Sequence, residues 1–181
     1  MKTNLLVFSI IASLLIGGCI STKPSTSYLL RHDEKAERQY RNTVVIDSVQ
    51  LAGYLEQASP VRRMGKHKVD IFADMVWAQD FRSMVKETLE GNLLLRNANS
   101  KDARVFHAIV SFLRFEIDES AGKLVVSAVC FMRCGKESMK RQFALEYDSS
   151  GCTGDKLIDL YDKALSELSD KLCEMTESQA K

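Results

Sequence analysis

The chain has 181 residues, of which 45% are hydrophobic and 27% are charged, a composition ordinary for one folded domain or two small ones. Its 25 Lys and Arg residues are nearly balanced by 24 Asp and Glu residues, which argues against a dedicated nucleic-acid binder. The sequence has only nine Gly and two Pro residues, so collagen-like and low-complexity chains are excluded.

The first residues have the pattern of an export signal. Lys2 gives a positive start, and residues 5–16 follow without a charge. A helix over these 12 residues would be about 18 Å long, too short for the ~30 Å hydrocarbon core of a bilayer. The segment therefore predicts the apolar region of a signal peptide rather than a membrane-spanning helix.

The export signal ends in the order Ile16, Gly17, Gly18, Cys19. This order resembles the bacterial lipobox, in which the cysteine is lipidated and becomes the first residue of the mature chain. A conventional secretion signal that ends beside a cysteine is the alternative. We predict a lipoprotein signal peptide at residues 1–18 and a tether at 19–27, lipidated on Cys19 by palmitate or a similar acyl chain.

Ile20 bears on the destination of such a lipoprotein. The usual retention signal for the inner membrane is an Asp after the lipidated cysteine, and this chain has Ile instead. We therefore expect the protein to be anchored in the outer membrane and to face the periplasm.

The residues after the tether predict mixed α and β structure. An apolar run at residues 28–30 is a candidate edge strand, and the charged residues 31–41 form either a loop or a short solvated helix. Residues 43–51 are rich in β-branched side chains, which predicts a strand with one buried face. A basic turn follows, after which residues 68–76 can return as another strand.

Helical periodicity appears twice in the rest of the chain, at residues 79–95 and again at about 155–174. Between these helices, residues 104–117 predict a long strand whose apolar side switches after Phe112, which a β-bulge or burial of both faces at one end would explain. Residues 123–133 and 140–147 complete a meander that turns at Gly135.

The predicted fold class is therefore α+β. We expect a largely antiparallel mixed sheet with two amphipathic helices packed on one face. A single domain at residues 28–176 and a polar tail at 177–181 account for the chain after the tether.

The common fingerprints of catalysis are missing from the sequence. His32, His67 and His107 have no metal-ligand spacing, and no Cys-x-x-Cys pair occurs. There is also no Gly-x-Ser-x-Gly, Walker or Gly-x-Gly-x-x-Gly motif. We expect a non-enzymatic protein with no catalytic residue, metal or cofactor; an active site of unfamiliar pattern is the alternative.

Four cysteines follow Cys19, and an even number in an exported protein permits disulfides. Cys130 and Cys134 would lie roughly 13 Å apart on an extended strand, too far to bond to each other. We predict at least one bridge, which joins Cys173 to Cys130 or Cys134. The alternative is that Cys130 and Cys173 are small core residues between sheet and helix. Cys152 is the remaining cysteine.

One cluster of basic residues stands out, formed by Arg62, Arg63, Lys66 and Lys68 with His67 between the lysines. It predicts contact with anionic lipid headgroups or with an acidic partner. A solvated hairpin loop is the alternative.

The layout as a whole resembles a known family, the ABC-type transport auxiliary lipoproteins. Cys19 is followed closely by an apolar run at 28–30, like the short opening strand of that family. Residues 51–63 resemble its strand-exit segment, and Trp77 with Ala78 opens the first helix as the Trp-Ala pair of the family does. The strand meander and the closing amphipathic helix also match, whereas Gln79 stands where the family often has Pro.

Members of this family resemble the lipoprotein partner of paraquat-inducible and related MCE-type intermembrane lipid transport systems. The resemblance implies a membrane-anchored periplasmic domain that docks to an MCE-domain protein and an ABC permease complex and helps to move lipids or hydrophobic compounds. Association with further copies of itself is a possible mode of assembly, and no nucleic acid is implied. The alternative function is a structural or assembly role in envelope biogenesis or secretion.

Overall fold

The computed structural model describes residues 25–97 and 101–178. In chain order its strands are β1 (Thr26–Tyr28), β2 (Thr43–Leu51), β3 (Val61–Arg63), β4 (Val69–Ile71), β5 (Met75–Trp77), β6 (Val105–Asp118), β7 (Lys123–Cys134) and β8 (Glu137–Asp148). Helix α1 (Phe81–Arg96) lies between β5 and β6, helix α2 (Asp155–Glu177) follows β8, and a 3₁₀ turn covers Gly53–Leu55. The α+β class is confirmed.

Six of these strands form one mixed sheet. The order β4-β3-β6-β7-β8 runs across it, and β2 pairs in parallel with the first part of β6. Strand β3 pairs in parallel with the end of β6, so β2 and β3 share the same edge of that strand. The β6–β7–β8 meander is antiparallel, and Gly135, with φ +60°, permits its tight second turn.

Both helices pack on the same face of this sheet through a cluster of aromatic rings. Trp77 stacks on Phe81 with ring centroids 4.9 Å apart. The centroid of Phe115 on β6 is 5.5 Å from that of Phe81 and 4.8 Å from that of Tyr161 on α2. This cluster joins β5, α1, β6 and α2 in one core.

The predicted bulge is present in β6. Phe112 pairs with Ala128 and Arg114 pairs with Ser127, so Leu113 has no partner in the ladder and its side chain is exposed. The extra residue returns Phe115 and Ile117 to the buried face instead of placing them on the opposite one.

Two elements near the start of the domain differ from the expectation. The first strand lies at Thr26–Tyr28 rather than at 28–30, and the segment that follows it is irregular although Leu30 is buried. Residues 68–76 form two strands because β4 pairs with β3, whereas β5 pairs with β1 in a separate two-stranded sheet. The chain therefore changes sheet between Ile71 and Met75.

Candidate interaction surfaces

The predicted basic cluster lies on the hairpin formed by β3 and β4, and its four cations have different surroundings. Arg62 forms ion pairs with Asp70 and Glu119, each at 3.1 Å. Arg63 points to the opposite face of the hairpin and is also paired, whereas Lys66 and Lys68 are exposed. The two arginines therefore hold the hairpin, and the two lysines extend into solvent.

Arg63 is paired with Glu116, a side chain on β6 that is completely buried. The Arg63 Nε and Nη2 atoms donate to the two carboxylate oxygens at 2.6 and 3.2 Å. Arg114 Nε donates to the same carboxylate at 2.8 Å and Nη2 donates to Asp118 at 3.2 Å. Sequence analysis missed this centre because Glu116 alternates with apolar residues in a strand and so resembles a solvent-facing position.

The irregular residues 29–42, called the strap below, run along α1 and α2 and are fixed by partly buried polar contacts. The Arg96 guanidinium is 2.8 Å from Asp33 of the strap and 2.8 Å from Asp170 of α2. The Asp33 N–H donates to Asn92 Oδ1 at 2.7 Å. The strap is therefore joined to both helices at once.

An open cleft of about 470 Å³ lies where the strap meets the start of α2. Asp155, Asp159 and Asp162 line it, and the Asp162 carboxylate accepts the Arg31 N–H at 2.9 Å. Burial raises the pKa of Asp162 to about 6, with a smaller contribution from the charge of Asp159. The cleft is acidic, and its most buried carboxylate holds the strap.

The four cysteines of the described residues are free thiols in this structure. Cys130 on β7 and Cys173 on α2 are both buried, and burial raises the pKa of each thiol to about 12. Cys134, at the end of β7, and Cys152 are partly exposed. A bridge from Cys173 to Cys130 or Cys134 stays a prediction for the oxidised protein.

The described residues bring no metal-binding group together: within 25–97 and 101–178, no three His, Cys, Asp or Glu side chains converge on one point. The Nδ1 atom of His107 lies 2.8 Å from Asp47 Oδ1 on the exposed face of the sheet. His67 lies on the hairpin, 40 positions earlier in the sequence. The helices of this part of the chain are all too short or too polar to cross a membrane. The predicted lipidation site, Cys19, lies outside the described residues.

The described residues form an α+β domain, a mixed sheet covered by two helices with an ion-paired hairpin at one edge, and the comparison with family models names the family. The model of the ABC-type transport auxiliary lipoprotein component matches residues 28–173. The chain therefore belongs to this family, as its resemblance predicted, and is a transport auxiliary lipoprotein associated with an ABC transport system.

Solved structures share the fold at low sequence identity. One, titled as an uncharacterized protein, has a TM-score of 0.66 and 17% identity, and the match covers 85% of this chain and 99% of that one. Protein XCC0632 from Xanthomonas campestris, of the family DUF330, has a TM-score of 0.58 and 13% identity. The match covers 86% of this chain and 98% of that one. A search of curated proteins gave no match.

Proposed function

We propose that this chain is an outer-membrane lipoprotein, acylated on Cys19, that faces the periplasm and serves an MCE-type ABC system in the transport of lipids or hydrophobic compounds. The family match over residues 28–173 is the observation that carries this proposal. The lipobox order before Cys19 supports the acyl anchor, and Ile20 supports the outer membrane.

The protein acts by contact rather than by turnover in this proposal. Its partners are an MCE-domain protein and the ABC permease complex, and it needs no cofactor or nucleic acid. Self-association would increase the number of contacts with one transporter. The support for a contact role is the family description as an auxiliary component.

The partner assignment is tested by affinity purification of the tagged full chain from gently solubilised membranes. We expect the permease, the ATPase and an MCE-domain protein to copurify with the native chain, and their genes to be neighbours of this one. A deletion strain should become sensitive to detergent. Copurification of an envelope-assembly or secretion machine instead would favour the alternative function.

The anchor is tested separately with Cys19→Ala. The native chain should incorporate labelled palmitate and be processed, whereas the variant should remain an unlabelled precursor. Cys152→Ala is a matched control, because it removes a cysteine outside the lipobox. Labelling of Cys19→Ala would contradict the proposed anchor.

A further inference from the structure

The turn of the β3–β4 hairpin and the first residue of β4, together residues 64–69, are called the hairpin tip and combine exposed apolar and cationic side chains. Met64 and Val69 are each 42% exposed, and Ile71, which is 41% exposed, lies on the same strand face as Val69. Lys66, together with His67 and Lys68, is exposed between them. Apolar side chains that enter the headgroup boundary and lysines that meet anionic headgroups are the two elements of an interfacial membrane contact.

The lysines of the tip are available for such a contact. Within the described residues neither Lys66 nor Lys68 lies within 4.0 Å of a carboxylate as an ion pair, in contrast to Arg62 and Arg63. An open cleft of about 480 Å³ beside the tip is lined by Lys66, Arg63 and Arg114 and by Asp118. Arg63 and Arg114 are paired with Glu116 and Asp118, whereas Lys66 forms no ion pair within the described residues, so Lys66 is the cation of this cleft that is available to a ligand.

The base of the hairpin is held firmly, so the tip has a defined direction. Arg63 joins β3 to the buried Glu116 of β6, and Arg62 joins it to Glu119 in the β6–β7 turn. The Glu119 N–H also donates to the Arg63 carbonyl at 3.0 Å. Since β3 is parallel to the end of β6, the tip extends beyond the sheet at the end where β6 stops.

The described chain begins at this same end of the domain. Strand β8 ends opposite the start of β7 and leads into α2, so the first residues of α2 lie near the β6–β7 turn. Strand β1 lies beside that part of α2, because Thr26 and Asp155 line one cleft. Residues 20–25, between Cys19 and β1, can span at most about 21 Å.

We infer that the hairpin tip docks on the anionic phospholipid surface of the membrane that carries the acyl anchor. This inference rests on the proposed function only for the anchor at Cys19. The anchor brings the end of the domain that holds the tip to the bilayer, Met64 and Val69 enter the headgroup boundary, and Lys66 and Lys68 contact the phosphates. The contact fixes the orientation of the domain above the membrane.

The test places a photoreactive benzophenone amino acid at Met64 or at Val69 of the full lipidated chain. The control position is Leu94 on α1, which is 77% exposed and lies in the last turn of that helix. The chain is reconstituted into vesicles of equal parts phosphatidylglycerol and phosphatidylcholine, and only vesicles that carry it after flotation are irradiated. Phospholipid adducts are then measured by mass spectrometry.

We expect phospholipid adducts at positions 64 and 69 and few at 94. The double variant Lys66→Glu/Lys68→Glu should reduce the adduct yield at position 64. Each lysine should account for a factor of about five or more, because a cationic side chain near an anionic surface contributes about 1 kcal/mol to binding. The matched control is Lys136→Glu/Lys140→Glu, which changes the net charge equally but lies at the β7–β8 turn and on β8, and it should leave the yield unchanged.

Three outcomes would overturn the inference: no adduct at 64 and 69, equal adducts at 94, or equal losses in the two charge variants. Crosslinks from the tip to an acidic protein in cells, without lipid adducts, would assign the tip to a protein partner instead. The vesicles contain no transporter, so the result is independent of the partner assignment. Flotation, done before irradiation, shows whether the acyl anchor holds the chain on the vesicles. A missing anchor is therefore distinguished from a missing contact between the tip and the lipid.

Discussion

Glu116 is held as a carboxylate in the folded protein although it is completely buried. Burial by itself would raise its pKa, but hydrogen bonds from Arg63 and Arg114 outweigh this effect and lower the pKa of Glu116 below its usual range. The Tyr54 hydroxyl donates its one hydrogen bond to the Leu113 carbonyl at 3.1 Å. Glu116 thus ties the hairpin to β6, and Tyr54 ties the preceding 3₁₀ turn to the same strand.

Glu116→Gln is expected to destabilise the protein by about 2 kcal/mol at neutral pH, because it leaves the partly buried Arg63 without its paired carboxylate and removes one of the two carboxylates that pair with Arg114. Urea unfolding of the purified chain measures this change. Glu119→Gln is the matched control, because its carboxylate also pairs with a hairpin arginine but is more exposed, and it should cost less than about 1 kcal/mol. Equal losses in the two variants would contradict the central role of Glu116.

The effect of Glu116→Gln should depend on pH in a defined direction. The pKa of Glu116 is lower in the folded chain than in the unfolded one, so its charge stabilises the fold at pH values above about 4.3, the ordinary glutamate value. This contribution is lost as the pH falls through the lower folded pKa. The difference between native and variant chains should therefore shrink on acidification, and a constant difference would contradict the assignment.

At the scale of elements, the strap lies so close to α1 that Gly91 has little room for a side chain. A Cβ atom added at Gly91 would lie 2.6 Å from the ring of His32 in the strap. In a helix, however, alanine is more favourable than glycine by about 1 kcal/mol. The strap contact and the helix propensity therefore oppose each other at this position.

A double-mutant cycle separates the two effects. Gly91→Ala should stabilise the His32→Gly chain by about 1 kcal/mol, whereas in the native chain the gain should be smaller or reversed, because the His32 side chain, including its Cβ, must move. Urea unfolding of the four proteins gives the coupling energy. Equal effects of Gly91→Ala in both backgrounds would show that the strap does not rest on α1.

The sequence predicted those elements whose signal is local. The apolar stripes of α1 and α2 repeat within each helix, and the switch of apolar side after Phe112 indicated the bulge at Leu113. The sequence also predicted the turn at Gly135 between β7 and β8. Each of these features depends on residues that are close together in the chain.

The missed features depend on distant partners. Leu30 looked like part of a strand, but it is buried within the irregular strap. The break between β4 and β5 follows from their pairing with different strands, and the role of Glu116 follows from Arg63, which is 53 residues away. Such pairings leave no periodic pattern in a single sequence.

At the scale of the whole molecule, long and short elements are unevenly distributed. Strands β6, β7 and β8 have 14, 12 and 12 residues, whereas β1, β3, β4 and β5 have three each. The short strands gather around the end that carries the hairpin tip. Strand β4 is the outermost of the large sheet, pairs only through β3 and has two exposed residues among its three.

This arrangement predicts two levels of local stability. Amides of β4 and of the hairpin tip should exchange with solvent through local openings, because few buried contacts hold them, whereas amides of β7, paired on both sides, should exchange only on global unfolding. Native-state hydrogen exchange, measured at several urea concentrations below the unfolding transition, distinguishes the two levels. The exchange rate in β7 should rise with urea as steeply as global unfolding does, whereas the exchange rate in β4 should barely change. The β8 amides that are hydrogen-bonded to β7 provide a control, because β8 is also an edge strand but is paired along 12 residues, and these amides should follow β7. Exchange of β4 with the same urea dependence as β7 would mean that the hairpin opens only with the core, and the tip would then be a rigid part of the sheet.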